Sequence, residues 1–396
     1  FSIGHKTHRS APGALKFLNT KWEWLGWLQV FTCFAIVIYY SVIIAWSLSY
    51  GLFSLQGLKW GTDTAAFFTG EYLKLESGFS LGSFNLSVAI PLIIVWVIIF
   101  ASVIGGVKDG IEKANKIFMP LLAILVVIIL IRGITLPGAL AGLDYMFKPD
   151  FSKLLNPQVW IAAYGQVFYS MSVAFGIMIT YSSYLPDDSD IANNAFMTGF
   201  ADTSFSLFAG LTVFSIMGYM AYSQGKEVAE VAGSGGIGLA FMVFPEAINA
   251  LPGLNGIFGL VFFLVLSFAG LTSAISLAEV VISSFIDKFH FNRKKVAVIV
   301  ILIQGLISMV YATGSGLNIL DIVDAFLNNY NIVVSGLIEI VLVAWVYKLG
   351  DFKELINKVS EFKVGLWWDF CLKFLTPIFL AIMLALKLIN DFQKPY

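Results

Sequence analysis

A carboxylate, Asp202, lies inside the apolar run FMTGFADTSFSLFAGLTVF. In hydrocarbon an isolated charge is costly, so the group must take up a proton, pair across helices or hold a cation. A second candidate is SFAGLTSAISLAE at 267–279, where Ala269, Thr272 and Ser273 fall at i, i+3 and i+4 on one helical face. One carbonyl and two hydroxyls form a hard oxygen set suited to a small cation, although the same spacing also serves close helix packing. Tyr39 and Tyr40 sit mid-run in AIVIYYSVII, either as core aromatics or as phenols facing a cavity, where one could hold a carboxylate. The fourth candidate is YGQVFYSMSVAFGIMITYSSYLP at 164–186, with Gln166, Ser170, Ser172 and Gly176 at its middle beside Tyr169 and Phe175. Two readings stay open for it. It is a groove of small residues for packing, or a discontinuous helix whose freed carbonyls and half-helix dipoles meet an ion.

Spans must hold these groups at one depth. Of all residues 58% are hydrophobic and 12% charged, against about a quarter charged in a soluble chain. Runs such as FTCFAIVIYYSVIIAWSL, VAIPLIIVWVIIFASVI and IFMPLLAILVVIILI approach or exceed the length of a helical span, and they lack the alternation of a barrel strand. Nine spans are expected, at about 24–50, 86–104, 109–134, 159–183, 194–223, 255–286, 296–313, 320–348 and 365–390, in one membrane domain over 1–396. An odd number puts the two ends on opposite faces. Connections on one face hold fifteen Lys and Arg and those on the other eight, with Lys373 in a span, which predicts Phe1 in the cytoplasm and Tyr396 outside. The expected location is the cell's inner (plasma) membrane.

Other classes fit poorly. A net charge of −1 offers no basic surface for nucleic acid. Cys33 and Cys371 lie in separate spans and suit neither a disulfide framework nor a zinc site. His5, His8 and His290 sit in loops or at span ends and no HExxH occurs, so no Ser–His pair or zinc-protease motif supports an intramembrane enzyme. A channel would want a continuous polar lining, whereas the polar residues here gather at one depth. A secondary transporter remains, coupled to sodium or, with Asp202 as the titratable group, to protons. Glu279 and Glu339 are further intramembrane acids to which the sequence assigns no role. Gly110 and Pro120 in GIEKANKIFMP mark a kink or an unwinding point.

The segments GQVFYSMSVAFGIMITYSSYLPDDSDI, FAGLTSAISLAEVVISSFIDKF, AIVIYYSVIIAW and GGVKDGIEKANKIFMP, with their order and spacing along the chain, resemble the neurotransmitter:sodium symporter family and its bacterial hydrophobic amino-acid transporters. The resemblance implies an all-α polytopic membrane protein with the LeuT-type inverted-repeat transporter fold, N-terminally truncated so that helices 3 to 11 are present. The opening SIGHKTHRSAPGALKF reads accordingly as a loop after an earlier helix. It further implies sodium-coupled symport of neutral hydrophobic or aromatic L-amino acids by alternating access.

By the same resemblance the substrate meets Ile36, Phe168, Tyr169, Ser170, Met171, Ser172, Phe175, Ser273, Ser276 and Leu277, with Tyr40 on its carboxylate and Tyr169 and Phe175 closing over it. Ser170 and Asp202 serve a first sodium; Ala269, Thr272 and Ser273 serve a second. Asp324 matches the acid of an extracellular gate, and Gly110 and Pro120 match an element that unwinds toward the cytoplasm. The gate arginine and a sodium-ligating asparagine belong to helices absent from this chain. Animal members carry serine at the position of Ser206 and use chloride there. Asp202, one turn earlier, already supplies a negative charge, so transport without chloride is expected. The partners are an amino acid and the lipid bilayer.

Overall fold

The structure is a computed structural model describing residues 1–76, 81–231 and 236–393. Tyr396, whose side of the membrane the charge distribution predicts, lies outside the described residues. Within them the fold is helical, with one isolated bridge between Phe84 and Thr313. Two short helices, α1 (Ser2–Thr7) and α2 (Ala11–Leu18), lead into α3 (Glu23–Leu55). Then come α4 (Leu86–Ile104), α5 (Val107–Ile134), α6 (Pro157–Ser170), α7 (Ile177–Ser182), α8 (Ile191–Gln224) and α9 (Asn255–Phe289). The last three are α10 (Arg293–Ala312), α11 (Gly316–Val346) and α12 (Leu366–Ile389). Among the described residues, eight helices are long and apolar enough to span a bilayer. The run expected at 159–183 is not one of them, because it is split into α6 and α7.

The helix ends follow local chemistry. The Asn85 side chain accepts from Ser87 N–H at 3.0 Å to start α4, and Asp190 accepts from Asn193 N–H at 2.9 Å to start α8. Each satisfies an N–H that the helix ladder leaves open. Gly225 closes α8 at φ 64°, the left-handed conformation glycine adopts without penalty. Pro120 is accommodated without a break: α5 is helical from Val107 to Ile134, its first turn a π-turn through Ile111. Gly110 marks a close approach, since a Cβ there would stand 2.1 Å from the Ser102 carbonyl oxygen of α4.

α3 and α9 form the axis of the molecule. They approach so closely that a Cβ on Gly270 would lie 2.6 Å from the Ile44 side chain. Ile36, Ile44, Trp46, Phe263 and Ile275 are buried along this seam. On the outer helices the pattern inverts: Ile93 and Val97 of α4 and Ile124 and Ile131 of α5 are exposed. Lipid is as apolar as these side chains, so the membrane rather than a protein core receives them.

Candidate functional site

The break between α6 and α7 is built from left-handed residues. Ser172 (φ 53°), Ala174 (φ 67°) and Gly176 (φ 72°) alternate through it. Only the glycine does so without strain, and each non-glycine residue in this region needs its surroundings to hold it there. The surroundings do. Val173 N–H reaches the Phe168 carbonyl at 3.1 Å, Ser172 N–H reaches that of Tyr169 at 3.1 Å, and Thr180 N–H restarts the ladder on Gly176 at 2.9 Å. The Phe175 carbonyl accepts from the Cys33 thiol of α3 at 3.0 Å, and the Ala174 carbonyl accepts from the Ser335 hydroxyl of α11 at 3.4 Å. Two of the carbonyls that the sequence reading makes available to an ion are thus engaged by protein donors. Among the described residues, the carbonyls of Met171, Ser172 and Val173 accept no hydrogen bond. Gly176 is needed for space as well as φ, since a Cβ there would be 2.9 Å from the Ala11 methyl.

Beside the break lies a cavity of about 270 Å³ walled by α3, α5, α9 and the break itself. Ile36, Tyr40, Tyr169, Ser170, Ser172, Phe175, Ser273, Ser276 and Leu277, all singled out from sequence, line it, together with Thr272. Tyr169 and Phe175 meet edge to face, centroids 6.1 Å apart. Phe168 and Met171 are not on its wall. The Phe168 ring is packed so tightly over Gly336 of α11 that a Cβ there would approach it to 2.8 Å, and the Met171 methyl lies toward Gly199 of α8. Ala269 is also off the wall, but its carbonyl accepts from the Thr272 hydroxyl at 2.9 Å. Tyr181 donates to Ser276 Oγ at 2.8 Å, and Ser276 donates to the Thr272 carbonyl at 3.1 Å.

Sequence reasoning missed Asn115 and Met119 of α5 and Ile177, Met178 and Tyr181 around α7, which complete the wall. Asn115 stands midway between Gly110 and Pro120, and its Oδ1 is buried with no hydrogen-bond partner among the described residues. A polar side chain in a span was the available signal. Cys33 and Gln29 were also recoverable, since they share with Ile36 and Tyr40 one stripe of α3 at helical spacing.

Ser170 and Asp202 lie in contact. The hydroxyl is 2.8 Å and 2.6 Å from the two carboxylate oxygens, at the end of α6 and inside α8. Ser206, one turn on, is exposed. Asp324 is held by Tyr39, whose phenol donates at 2.7 Å, and by the Asn328 amide at 2.7 Å. The two adjacent tyrosines therefore divide the work: Tyr40 faces the cavity and Tyr39 the acid of α11.

The remaining acids find partners that sequence could not supply. Glu279 accepts from Tyr184 Oη at 2.8 Å and from both terminal nitrogens of Arg293, at 2.9 Å and 2.5 Å. Arg293 also donates to the Val103 carbonyl at 2.9 Å, tying α9, α10 and α4 on the lysine-rich face. Glu339 accepts from the buried Gln29 amide at 2.6 Å. Beyond α7, His8 meets the Ser183 carbonyl at 3.1 Å and Asp187 at 2.8 Å. The carbonyl first, then the carboxylate, hold its imidazole above the ordinary histidine value.

Comparison with known proteins adds three findings. The profile of the Sodium:neurotransmitter symporter family matches residues 61–396. An uncharacterized sodium-dependent transporter of Methanocaldococcus jannaschii is 41% identical over 397 residues, covering 100% of this chain and 80% of that protein. The sodium-dependent nutrient amino acid transporter 1 of Drosophila grimshawi is 29% identical, covering 92% of this chain and 64% of its own; that of Drosophila erecta is 32% identical, covering 80% and 50%. The chain thus spans between half and just under two thirds of these insect relatives.

Proposed function

This chain belongs to the sodium:neurotransmitter symporter family, a family of transporters rather than enzymes, and we propose that it carries neutral hydrophobic or aromatic L-amino acids together with sodium by alternating access. One observation carries the reading: a single cavity beside a broken helix gathers a phenol, two aromatic covers and two small-hydroxyl clusters. Tyr40 receives the substrate carboxylate. Ile36, Phe175 and Leu277 accept its side chain, and no charged side chain among the described residues lines the wall, which disfavours charged substrates. Phe168 and Met171 act behind the wall, steadying the break.

Sodium is cargo at two places. Ser170 and Asp202 offer the first a hydroxyl and a carboxylate, and Ala269, Thr272 and Ser273 offer the second a carbonyl and two hydroxyls. Both are hard oxygen sets suited to an alkali cation. The fit is supported by convergence, since Ser170 already touches Asp202 and Thr272 already touches the Ala269 carbonyl. Sodium at the first place raises affinity for the substrate carboxylate, and by linkage the substrate raises affinity for sodium. Asp202 supplies the negative charge for which other members use chloride, so uptake persists without that anion. Asp324, held by Tyr39 and Asn328, belongs to the outer gate; Gly110 and Pro120 belong to the inner one. The lysine-rich face lies in the cytoplasm of a cell whose plasma membrane holds the protein.

Proteoliposomes under a sodium, a potassium or a proton gradient test this. Sodium should drive concentrative uptake of aromatic or branched amino acids, and replacing chloride by gluconate should leave it unchanged. Equal uptake under all three gradients refutes sodium coupling. Uptake driven by protons alone transfers the coupling role to Asp202 as an acid.

A further inference from the structure

A second feature lies away from the transport site, where α3, α9 and α10 meet the membrane on the lysine-rich face. Between these helices runs an apolar cleft of about 400 Å³, walled by Trp27, Phe31, Phe34, Phe285, Ile299 and Ile303 among others. Phe31, Ile299 and Ile303 are 57%, 56% and 45% exposed, so the cleft opens to lipid rather than into the bundle. At its end stands a polar cavity of about 680 Å³ that includes Arg9, Lys16, Glu23, Asp287, Lys288 and His290. Phe291 lines both. A ladder of rings joins them: Trp27 to Phe285 at 5.6 Å, Phe285 to Phe289 at 5.9 Å, and Phe289 to Phe291 at 5.5 Å. Phe289 and Phe291, 48% and 58% exposed, carry this ladder out of the cleft toward the polar cavity.

The charges in the polar cavity are unequal. Glu23 is shared by Lys16, at 2.9 Å, and by Lys288, while Asp287 accepts from the Ser10 backbone N–H at 2.6 Å. One carboxylate thus serves two ammonium groups and the other is committed to the backbone. Among the described residues, Arg9 and His290 make no ion pair or side-chain hydrogen bond, and both are exposed. The cavity therefore holds unspent positive charge directly beside an apolar cleft.

We propose that this composite site binds one anionic glycerophospholipid of the adjacent leaflet, its phosphate against Arg9, Lys16 and Lys288 and one acyl chain in the cleft. Charge complementarity selects the occupant. An apolar helix of a second copy would fill the cleft but leave Arg9 unmet and the two lysines on one carboxylate, whereas an anionic headgroup with its chain satisfies both halves at once. The bound lipid bridges the α1–α2 segment, which carries Arg9 and Lys16, to the α9–α10 turn, and so steadies a face that includes the His8–Asp187 and Arg293–Glu279 contacts.

Native mass spectrometry of the purified full chain, exchanged into mixed micelles of phosphatidylglycerol and phosphatidylcholine, tests the assignment. One phosphatidylglycerol should be retained per chain in preference to phosphatidylcholine, and millimolar inorganic phosphate should not displace it. Arg9→Gln should lower the preference roughly fivefold, the value of one interfacial cation, and adding Lys288→Gln should lower it again. Ile303→Trp, which fills the cleft, should abolish retention of both lipids. If Lys288→Gln fails to fold, Arg9→Gln decides alone, because that side chain holds no ion pair. Equal retention of the two lipids, an unchanged preference in Arg9→Gln, or a dimer occupying the cleft overturns the proposal.

Discussion

Removal of the Arg293 guanidinium should be among the most damaging single changes on the lysine-rich face. The Glu279 side chain is 0% exposed and that of Arg293 24%. Arg293→Ala strips the carboxylate of two charge-assisted bonds and the Val103 carbonyl of its guanidinium donor, leaving Tyr184 as the remaining hydroxyl on Glu279. Breaking a buried pair from one side costs about 3–5 kcal/mol because the surviving charge stays unmet. Glu279→Gln removes the charge but leaves a neutral acceptor for Tyr184, and the partly exposed arginine can rehydrate, so about 1.5–3 kcal/mol is expected. The double variant should cost less than the sum of the two, with a coupling of roughly 1–3 kcal/mol. Thermal melts of the detergent-purified protein, read against the Tyr184→Phe variant, measure all of this. A melting point for Arg293→Ala within a degree of the parent, or strictly additive singles, would show that the pair contributes nothing and refute the reasoning.

Three further outcomes follow from the geometry. Asp202→Ala should raise the sodium concentration needed for half-maximal binding by roughly tenfold or more, equivalent to about 1.4 kcal/mol; isothermal titration with sodium reads it, and an unchanged value removes Asp202 from the ion site. Cys33→Ala should destabilise the break by about 1 kcal/mol through loss of the donor to Phe175, while Cys33→Ser should be tolerated; equal melting of both variants counts against the bond. His8 has a raised folded value, so its contact with Asp187 is fully present below the unfolded value of about 6.5 and is lost as pH rises through the folded one. An imidazole NMR titration should show the elevated midpoint and its partial fall in Asp187→Asn, since the Ser183 carbonyl, the larger cause, remains.

How much of this was legible depended on the distance over which partners act. Interruption of the apolar run expected at 159–183 was written locally, in Ser170, Ser172 and Gly176, because backbone conformation is set by neighbouring residues. The donors that secure it, Cys33 and Ser335, lie more than a hundred residues away on either side; helical spacing puts Cys33 on the stripe of Ile36 and Tyr40, but nothing in either segment names its partner carbonyl. Tyr39 and Tyr40 illustrate the same limit. One helical step turns them about a quarter of a circle apart, so different surroundings were certain, but which met the cavity and which met Asp324 required α9 and α11 in place. Asn115 was overlooked because its segment was weighed for glycine and proline, where backbone disruption was sought rather than a polar wall. Glu279 could be recognised only as an expensive group, since Arg293 and Tyr184 arrive from opposite sides in sequence.

The two donors at the break have a mechanical consequence. The carbonyls of Ala174 and Phe175 belong to consecutive peptide planes, and the first is tethered to α11 while the second is tethered to α3. The only soft torsions between those planes are the φ and ψ of Phe175. Within the backbone, a slide of α3 against α11 that preserves both tethers is taken up by rotation about that one residue, swinging the Phe175 ring that lines the cavity. A small shear between two long helices is thereby geared to the movement of a single side chain over the cavity.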